Sequence, residues 1–151
     1  MFHRAIELSY KEETVLSVTF QDGSVRDYDV STLYDEYPQM KALDSRKLFL
    51  SGRLLGSYGI VWNEELDLAV EEVYVNGKLV GQIDVPVSMR IGNAISEARN
   101  RKGLTQTELA RLANVDQSDL SKIECGESNP TIGTLDTIAK ALGCSISLTC
   151  D

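Results

Sequence analysis

The sequence contains few of the residues that hold metals and disulfides. His3 is the only histidine, and the three cysteines stand at positions 125, 144 and 150. Zinc sites are built mainly from closely spaced histidines and cysteines, and these residues show no such spacing. An odd number of cysteines also does not fit a framework of paired disulfides. We therefore expect free thiols, no metal site and no cofactor.

Long apolar segments are missing as well. No stretch approaches the roughly 18 consecutive apolar residues of a membrane-spanning helix. The first residues, MFHRAIE, lack the apolar core and the cleavage site of a signal peptide. These absences predict a cytoplasmic protein that does not contact a membrane. With 151 residues, 42% of them hydrophobic, the chain is long enough for one domain or two small ones.

Positive charge is scarce, because the formal net charge is −8. Residues 1–88 carry 8 Lys or Arg and 15 Asp or Glu, whereas residues 89–151 carry 7 and 8. This asymmetry predicts two modules with different partners. We expect an acidic domain at 1–82, a linker at 83–88 that contains Pro86, and a second domain at 89–151.

The acidic domain has the alternation that is typical of antiparallel strands. Leu16, Val18 and Phe20 share one face of a strand, and a turn at Asp22-Gly23 would return the chain as a hairpin. Further expected elements are a strand at 5–10, a helix at 33–43 capped by Ser31-Thr32 and interrupted at Pro38, a strand through Tyr58, Ile60 and Trp62, and a second hairpin at 73–80 with an Asn76-Gly77 turn.

Several carboxylates cluster in this domain without indicating an enzyme. A general acid and base need two carboxyl groups in different environments within one cleft, and nothing in the pattern indicates such a cleft. Clustered charges are more typical of a solvated face. His3 is expected at the surface or in a disordered terminus. Trp62, Tyr58 and Phe20 are expected in the core rather than on a ligand platform. The clusters are Asp27 with Asp29, Glu64 and Glu65 with Asp67, and Glu71 with Glu72.

From residue 89 the apolar residues follow the period of a helix. Gly103 ends the first helix, and Thr105 with Glu108 forms a capping box that begins the next. A tight turn at 113–115 then leads to a helix that Asp116 caps and that Leu120 and Ile123 anchor. The residues left on the outer face of that helix are polar: Gln117, Ser118, Ser121 and Lys122.

The second domain closely resembles the Xre, or lambda-repressor-like, helix-turn-helix domains. The segments that carry the resemblance are the run from Gly103 to Glu124, the Ile-Glu-x-Gly segment at 123–126, Asn129-Pro130-Thr131 and the Leu135–Gly143 helix. The resemblance implies that Gln106 contacts a DNA phosphate and that Gln117, Ser118 and Lys122 contact base edges. It also implies a structural salt bridge between Arg99 and Glu124. The helical spacing places Ser121 on the same face, and the side-chain amide of Gln117 suits a bidentate contact with adenine. The candidate residues for contacts with the DNA backbone are Arg101, Lys102, Arg111 and Asn129.

Two features depart from a simple DNA-binding domain. Asp116, Asp119 and Glu127 lie near the expected DNA side and would oppose phosphates, which favours a homodimer on a two-part operator. The family usually has a fifth helix after Gly143, whereas residues 144–151 alternate like a strand. Such a strand either pairs with a symmetry mate or packs on its own domain.

The first half resembles a small bacterial domain of unknown function through residues 22–30 and 59–68. The resemblance covers roughly residues 5–75 and implies an α+β module whose genes often neighbour toxin-like partners. Its acidity suggests a basic, toxin-like protein partner.

Together these features predict an α+β domain of antiparallel hairpins and a short helix, followed by an all-α helix-turn-helix domain with a C-terminal strand. The predicted function is sequence-specific binding of a double-stranded operator as an autorepressor or antitoxin-like protein. The alternative is an acidic protein-interaction adaptor whose helix-turn-helix no longer binds DNA.

Overall fold

The computed structural model describes residues 2–150. The chain divides into two compact units, Phe2–Asp84 and a second that begins at Val85.

A four-stranded antiparallel sheet organises the first unit. Its strand order is β1 (Ala5–Tyr10), β2 (Val15–Phe20), β3 (Ser24–Asp29) and β7 (Lys78–Gln82). Leu16, Val18 and Phe20 are fully buried, which confirms the predicted apolar face of β2. The β2–β3 turn uses Gly23 at φ +86°. The predicted first hairpin and its neighbouring strand are therefore correct.

Three short strands form a second sheet in the same unit, in the order β4 (Arg53–Leu55), β5 (Gly59–Val61) and β6 (Asp67–Ala69). Before it come the four-residue helix α1 (Arg46–Phe49) and two 3-10 helices. Trp62 is buried, and its indole N–H donates to the Phe49 carbonyl at 2.9 Å. Tyr58, expected in the core, is 46% exposed, and its ring instead contacts Arg4 and Phe2.

The predicted helix at 33–43 is replaced by the two 3-10 helices, Val30–Leu33 and Pro38–Asp44. Asp29, rather than Ser31-Thr32, caps the first, because its carboxylate accepts the Ser31 N–H at 3.0 Å. Pro38 begins the second helix instead of interrupting one, since proline lacks the N–H that a first helical position leaves unpaired.

The predicted second hairpin is wrong, because residues Val70–Asn76 form helix α2. Val70 and Val73 lie one helical turn apart and are both buried. Glu71 and Glu72 occupy the first turn, where acidic side chains interact favourably with the helix dipole. Gly77 has φ −74°, so the type I′ turn does not form. The following strand, β7, pairs with β3 instead.

His3 is half-buried rather than simply at the surface. Its backbone N–H donates to the Glu71 carboxylate at 2.8 Å, and its ring Nδ1 lies 3.0 Å from the same group. The imidazole stacks on Tyr74, whose ring meets Phe20 edge to face. The residue thus ties the start of the chain to α2.

The described part of the second unit contains four helices: α3 (Val87–Arg101), α4 (Gln106–Ala113), α5 (Gln117–Glu124) and α6 (Ile132–Ala141). Gly92 permits the close contact of α3 with α5, because a Cβ there would lie 2.3 Å from the Ile123 carbonyl oxygen. The core of this unit contains Leu109, Leu120, Ile123, Ile138 and Leu142.

The predicted C-terminal strand is absent from residues 144–150, and residue 151 lies outside the described chain. A strand needs a neighbour for its backbone N–H and C=O groups, and in a single copy this segment pairs with no strand. Ile146 is 50% exposed and Leu148 is 101% exposed.

Among residues 2–150, no helix is long and apolar enough to cross a membrane. The same part of the chain holds no group of three or more metal-ligating side chains.

Candidate nucleic-acid interface

The interface begins with the capped helix α4. The Thr105 hydroxyl accepts the Glu108 N–H at 3.1 Å, and the Glu108 carboxylate accepts the Thr105 N–H at 2.7 Å. The hydrogen bond from the Thr105 backbone lowers the pKa of Glu108. The predicted capping box is therefore confirmed.

A sharp turn directs the chain from α4 into α5. Asn114 ends α4 at φ 53° and ψ 47°, in the left-handed region that asparagine tolerates better than most residues. Asp116 occupies the cap position of α5, as predicted, although its side chain makes no capping hydrogen bond. Leu120 and Ile123 are 0% and 4% exposed, so they anchor α5 on the core.

The opposite face of α5 is open to solvent. Gln117, Ser118 and Lys122 are exposed, and Ser121 is half-buried at the edge of this face. The four side chains that the sequence analysis selected are thus brought together on one short helix. We call these four residues the α5 face.

A buried ion pair lies beneath this face. Glu124 is fully buried, and the Arg99 Nε donates to its carboxylate at 2.6 Å. A second guanidinium nitrogen of Arg99 donates to the Leu104 carbonyl at 2.8 Å. The salt bridge that the family resemblance implies is present, and it joins α3, the chain before α4 and the end of α5.

Gln106 connects that ion pair to the α5 face. Its amide N–H donates to the Glu124 carboxylate, and its amide oxygen accepts from the Gln117 Nε2 at 3.0 Å. Because an ionised carboxylate only accepts hydrogen bonds, Glu124 fixes the orientation of the Gln106 amide and, through it, that of Gln117. This link was not predicted from the sequence, since the three positions become neighbours only in the folded unit.

The other candidate contacts to the DNA backbone are dispersed. Arg111 is exposed on α4, and Asn129 is exposed in the loop before α6. Arg101 lines a groove between α3 and α6, and the Lys102 Nζ lies beside Gly143, at the end of α6. The structure therefore places Arg101 and Lys102 against α6 rather than beside the α5 face.

Two family models match this chain. The helix-turn-helix family matches residues 95–148, and a protein family of unknown function, DUF2442, matches residues 5–78. These findings confirm both resemblances that the motifs indicated.

Curated relatives match the second unit. An uncharacterized helix-turn-helix-type transcriptional regulator, y4dJ, of Sinorhizobium fredii is 42% identical over 55 residues, which are 36% of this chain and 71% of that protein. The immunity repressor protein of Bacillus phage phi105 is 41% identical over 59 residues, 39% of this chain. That match spans only 41% of the phage protein's length.

Solved structures give matches of similar extent. The restriction-modification controller protein C.AhdI from Aeromonas hydrophila is 30% identical, with 39% of this chain and 89% of that chain covered and a TM-score of 0.38. The controller protein C.Esp1396I, solved as a tetramer with its 35 base-pair operator, is 34% identical, with 41% and 82% covered and a TM-score of 0.39. From its sequence matches, the chain belongs to the helix-turn-helix family of transcriptional regulators, and a DUF2442 domain precedes its helix-turn-helix.

Proposed function

We propose that the chain is a transcriptional regulator that binds a double-stranded DNA operator through the α5 face. The observation that carries this proposal is the exposed set of polar side chains on a short helix whose position the Arg99–Glu124 pair fixes. Short polar helices of this kind enter the major groove with their first residues against base edges.

The α5 residues have distinct roles in this proposal. Gln117 offers an amide whose remaining N–H and oxygen match the N7 and N6 groups of adenine. Ser118 and Ser121 contact base edges or sugars, while Lys122 reaches guanine or a phosphate. Gln106, Arg111 and Asn129 hold the DNA backbone, and Arg101 and Lys102 have lesser roles, because they lie against α6.

We further propose that two copies bind a two-part operator and repress their own operon in the cytoplasm. Asp116, Asp119 and Glu127 are exposed in the helix-turn-helix and in the loop after it, so they weaken the attraction of one domain for phosphates. Two domains on two half-sites compensate for that weakness, because the second binding event becomes intramolecular.

Lys122 and the salt dependence of binding provide the test. For the full chain and a duplex from its own upstream region, the logarithm of the association constant should fall linearly with the logarithm of the salt concentration. If Lys122 contacts a phosphate, Lys122→Ala should reduce that slope by about 1 per half-site. Fluorescence anisotropy at several salt concentrations measures the slope.

The matched control is Lys140→Ala, which removes the same charge from an exposed side chain on α6 that pairs with Asp136. This variant should retain the wild-type slope. Equal changes in the two variants would show that only net charge matters, and would contradict a phosphate contact from Lys122.

A second candidate function, an acidic protein-interaction adaptor, is favoured by the surface of the first unit. Two grooves of about 610 and 460 Å³ adjoin there, and both are lined by Leu33, Glu36 and Glu72. The other carboxylates that line them are Asp27, Asp29, Glu65 and Asp67. Extended acidic grooves of this kind complement a basic protein, such as a toxin that binds RNA.

Some of these carboxylates already have structural roles. Asp27 pairs with Lys11, and the Tyr28 hydroxyl donates to Glu72 at 2.9 Å. Burial raises the pKa of Asp29, but hydrogen bonds from Thr14 and Ser31 outweigh it, so the net pKa is lowered. Glu36 and Glu65, by contrast, are exposed, and they are the carboxylates to change in a test.

Co-purification of the full chain with basic products of neighbouring genes tests this candidate. Glu36→Lys with Glu65→Lys should abolish the complex, because the changes place positive charge in the grooves. Glu12→Lys with Glu13→Lys makes the same charge change on exposed residues that do not line them, and should retain it. A complex that survives both pairs, or no complex with any neighbouring product, would remove the adaptor hypothesis.

A further inference from the structure

The C-terminal tail, residues 144–150, has a sequence that is chemically symmetric about its centre. Around Ser147, Ile146 corresponds to Leu148, Ser145 to Thr149, and Cys144 to Cys150. Two antiparallel strands related by a twofold axis pair residues whose numbers have a constant sum. An axis at Ser147 would therefore bring every tail residue opposite one of its own chemical kind.

In a single copy, this tail leaves its apolar side chains uncovered. Leu148 is fully exposed and Ile146 is half exposed, and the tail pairs with no strand of the described chain. Alternation places Cys144, Ile146, Leu148 and Cys150 on one face, with the hydroxyl-bearing residues on the other. A ribbon of two such tails thus has one apolar face and one polar face.

An apolar groove lies beside the tail, between α3 and α6. It has a volume of about 380 Å³, and its lining includes Ile95, Leu135, Leu142 and the tail's own Ile146. Arg101 is the only charged residue among its described lining. The first half of the tail, Cys144 to Ser147, itself lines this groove, so the groove reaches the apolar side chain of Ile146.

We propose that a second copy of this chain occupies this surface, with the two tails paired antiparallel about Ser147. In that register the partner subunit's Leu148 stands opposite Ile146, at the rim of the groove, and covers it. The partner subunit's Cys150 stands opposite Cys144. This interface deepens the proposed function, because it supplies the contact that joins two DNA-binding units.

The charge of this region suits a second copy as the occupant, and the size of the surface indicates how tightly that copy binds. Residues 89–151 carry a net charge of −1, against −7 for residues 1–88, so two tails meet without strong repulsion. The twelve residues that line the groove, with the rest of the tail, fall short of the roughly 20–30 residues per side of a standard stable interface. The contact is therefore weak alone, with a dissociation constant on the order of micromolar, and operator binding strengthens it.

Analytical ultracentrifugation of the full chain across concentrations, without DNA, tests the surface. The wild-type chain should be a monomer–dimer mixture. Leu148→Glu should raise the dissociation constant by about 100-fold or more, because each copy loses a buried leucine and gains a charge at the groove. Thr149→Glu places the same charge on the polar face of the same tail and should change the constant little.

Cross-linking with a short bis-maleimide tests the register. In a Cys125→Ser background, a chain that also carries Cys144→Ser and a chain that carries Cys150→Ser should each cross-link poorly alone. A mixture of the two should yield a covalent dimer, because one Cys150 then faces one Cys144. Since each chain holds a single reactive thiol, the product cannot arise within one chain.

A wild-type chain that stays monomeric at high concentration would overturn the proposal, as would equal effects of the two glutamate substitutions. Efficient cross-linking of either single-cysteine chain alone would overturn the register. None of these results uses DNA, so operator binding by a chain that fails them would contradict the interface while leaving DNA binding through the α5 face intact.

Discussion

The Glu124→Ala variant should lose about 3–5 kcal/mol of the free energy of unfolding of the helical unit, because it leaves a guanidinium without its buried carboxylate. Glu124 is fully buried, and the Arg99 side chain is only 12% exposed. Water therefore cannot replace the lost partner well. The substitution also removes the acceptor of the Gln106 amide.

Two spectroscopic signals measure this effect within one sample. Trp62 is the only tryptophan and belongs to the first unit, so its fluorescence reports on unfolding there. Far-ultraviolet circular dichroism is dominated by the longer helices α3 to α6. Because Glu124 belongs to the helical unit, we expect denaturant to shift the dichroism transition of Glu124→Ala more than its Trp62 fluorescence transition.

Glu127→Ala is the control, because it removes an exposed carboxylate a few residues away. We expect a change within about 0.5 kcal/mol, as for most surface substitutions. The double variant Arg99→Met with Glu124→Leu should recover much of the loss, since apolar replacement of a whole buried pair is often neutral. A loss below about 1 kcal/mol for Glu124→Ala would contradict the structural role of the pair.

The Gln117→Ala variant should lose operator affinity in a manner that depends on the DNA sequence. Removing a bidentate base contact costs about 1–3 kcal/mol, and a dimer makes the change in both half-sites. The expected loss is therefore about 2–6 kcal/mol on the operator, with little change on a shuffled duplex. Competition anisotropy with the two duplexes measures both values.

Gln39→Ala provides a comparison for that variant, because Gln39 is an exposed glutamine in the first unit. Its affinity should match that of the wild-type chain. If Gln117→Ala weakened binding to the operator and to the shuffled duplex by the same factor, Gln117 would contact the backbone rather than a base.

The helix-turn-helix was accessible from sequence because its determinants are local. The capping box spans only Thr105 to Glu108, and the inward residues of α5 lie three positions apart. The strands β2 and β3 were equally accessible, because alternation and an Asp-Gly turn specify a hairpin without help from distant residues.

The segment 70–82 shows where local evidence fails. Its Val-Tyr-Val run and Asn-Gly pair favour a hairpin, yet Val70 and Val73 gain more by packing one helical face into the core of the first unit. The second strand of the expected hairpin, β7, then pairs with β3, about fifty residues earlier in the chain. Tertiary burial outweighs β propensity here.

The link from Glu124 through Gln106 to Gln117 was inaccessible for another reason. Each of these residues has an ordinary role in the family pattern, and only the crossing of α4 and α5 brings their side chains within hydrogen-bond distance. The strand predicted for the C-terminal tail is absent because alternation in a sequence indicates a strand but does not show whether a neighbouring strand is present to pair with it.

The ratio of two affinities tests the central claim most directly. The wild-type full chain should be titrated at one physiological salt concentration against its own upstream duplex and against a shuffled duplex of equal length. We predict that it binds the upstream duplex at least about 1,000-fold more tightly, as specific DNA-binding proteins do. Equal affinity for the two duplexes, or no binding to either, would contradict the proposed regulator and leave the acidic grooves of the first unit as the functional surface.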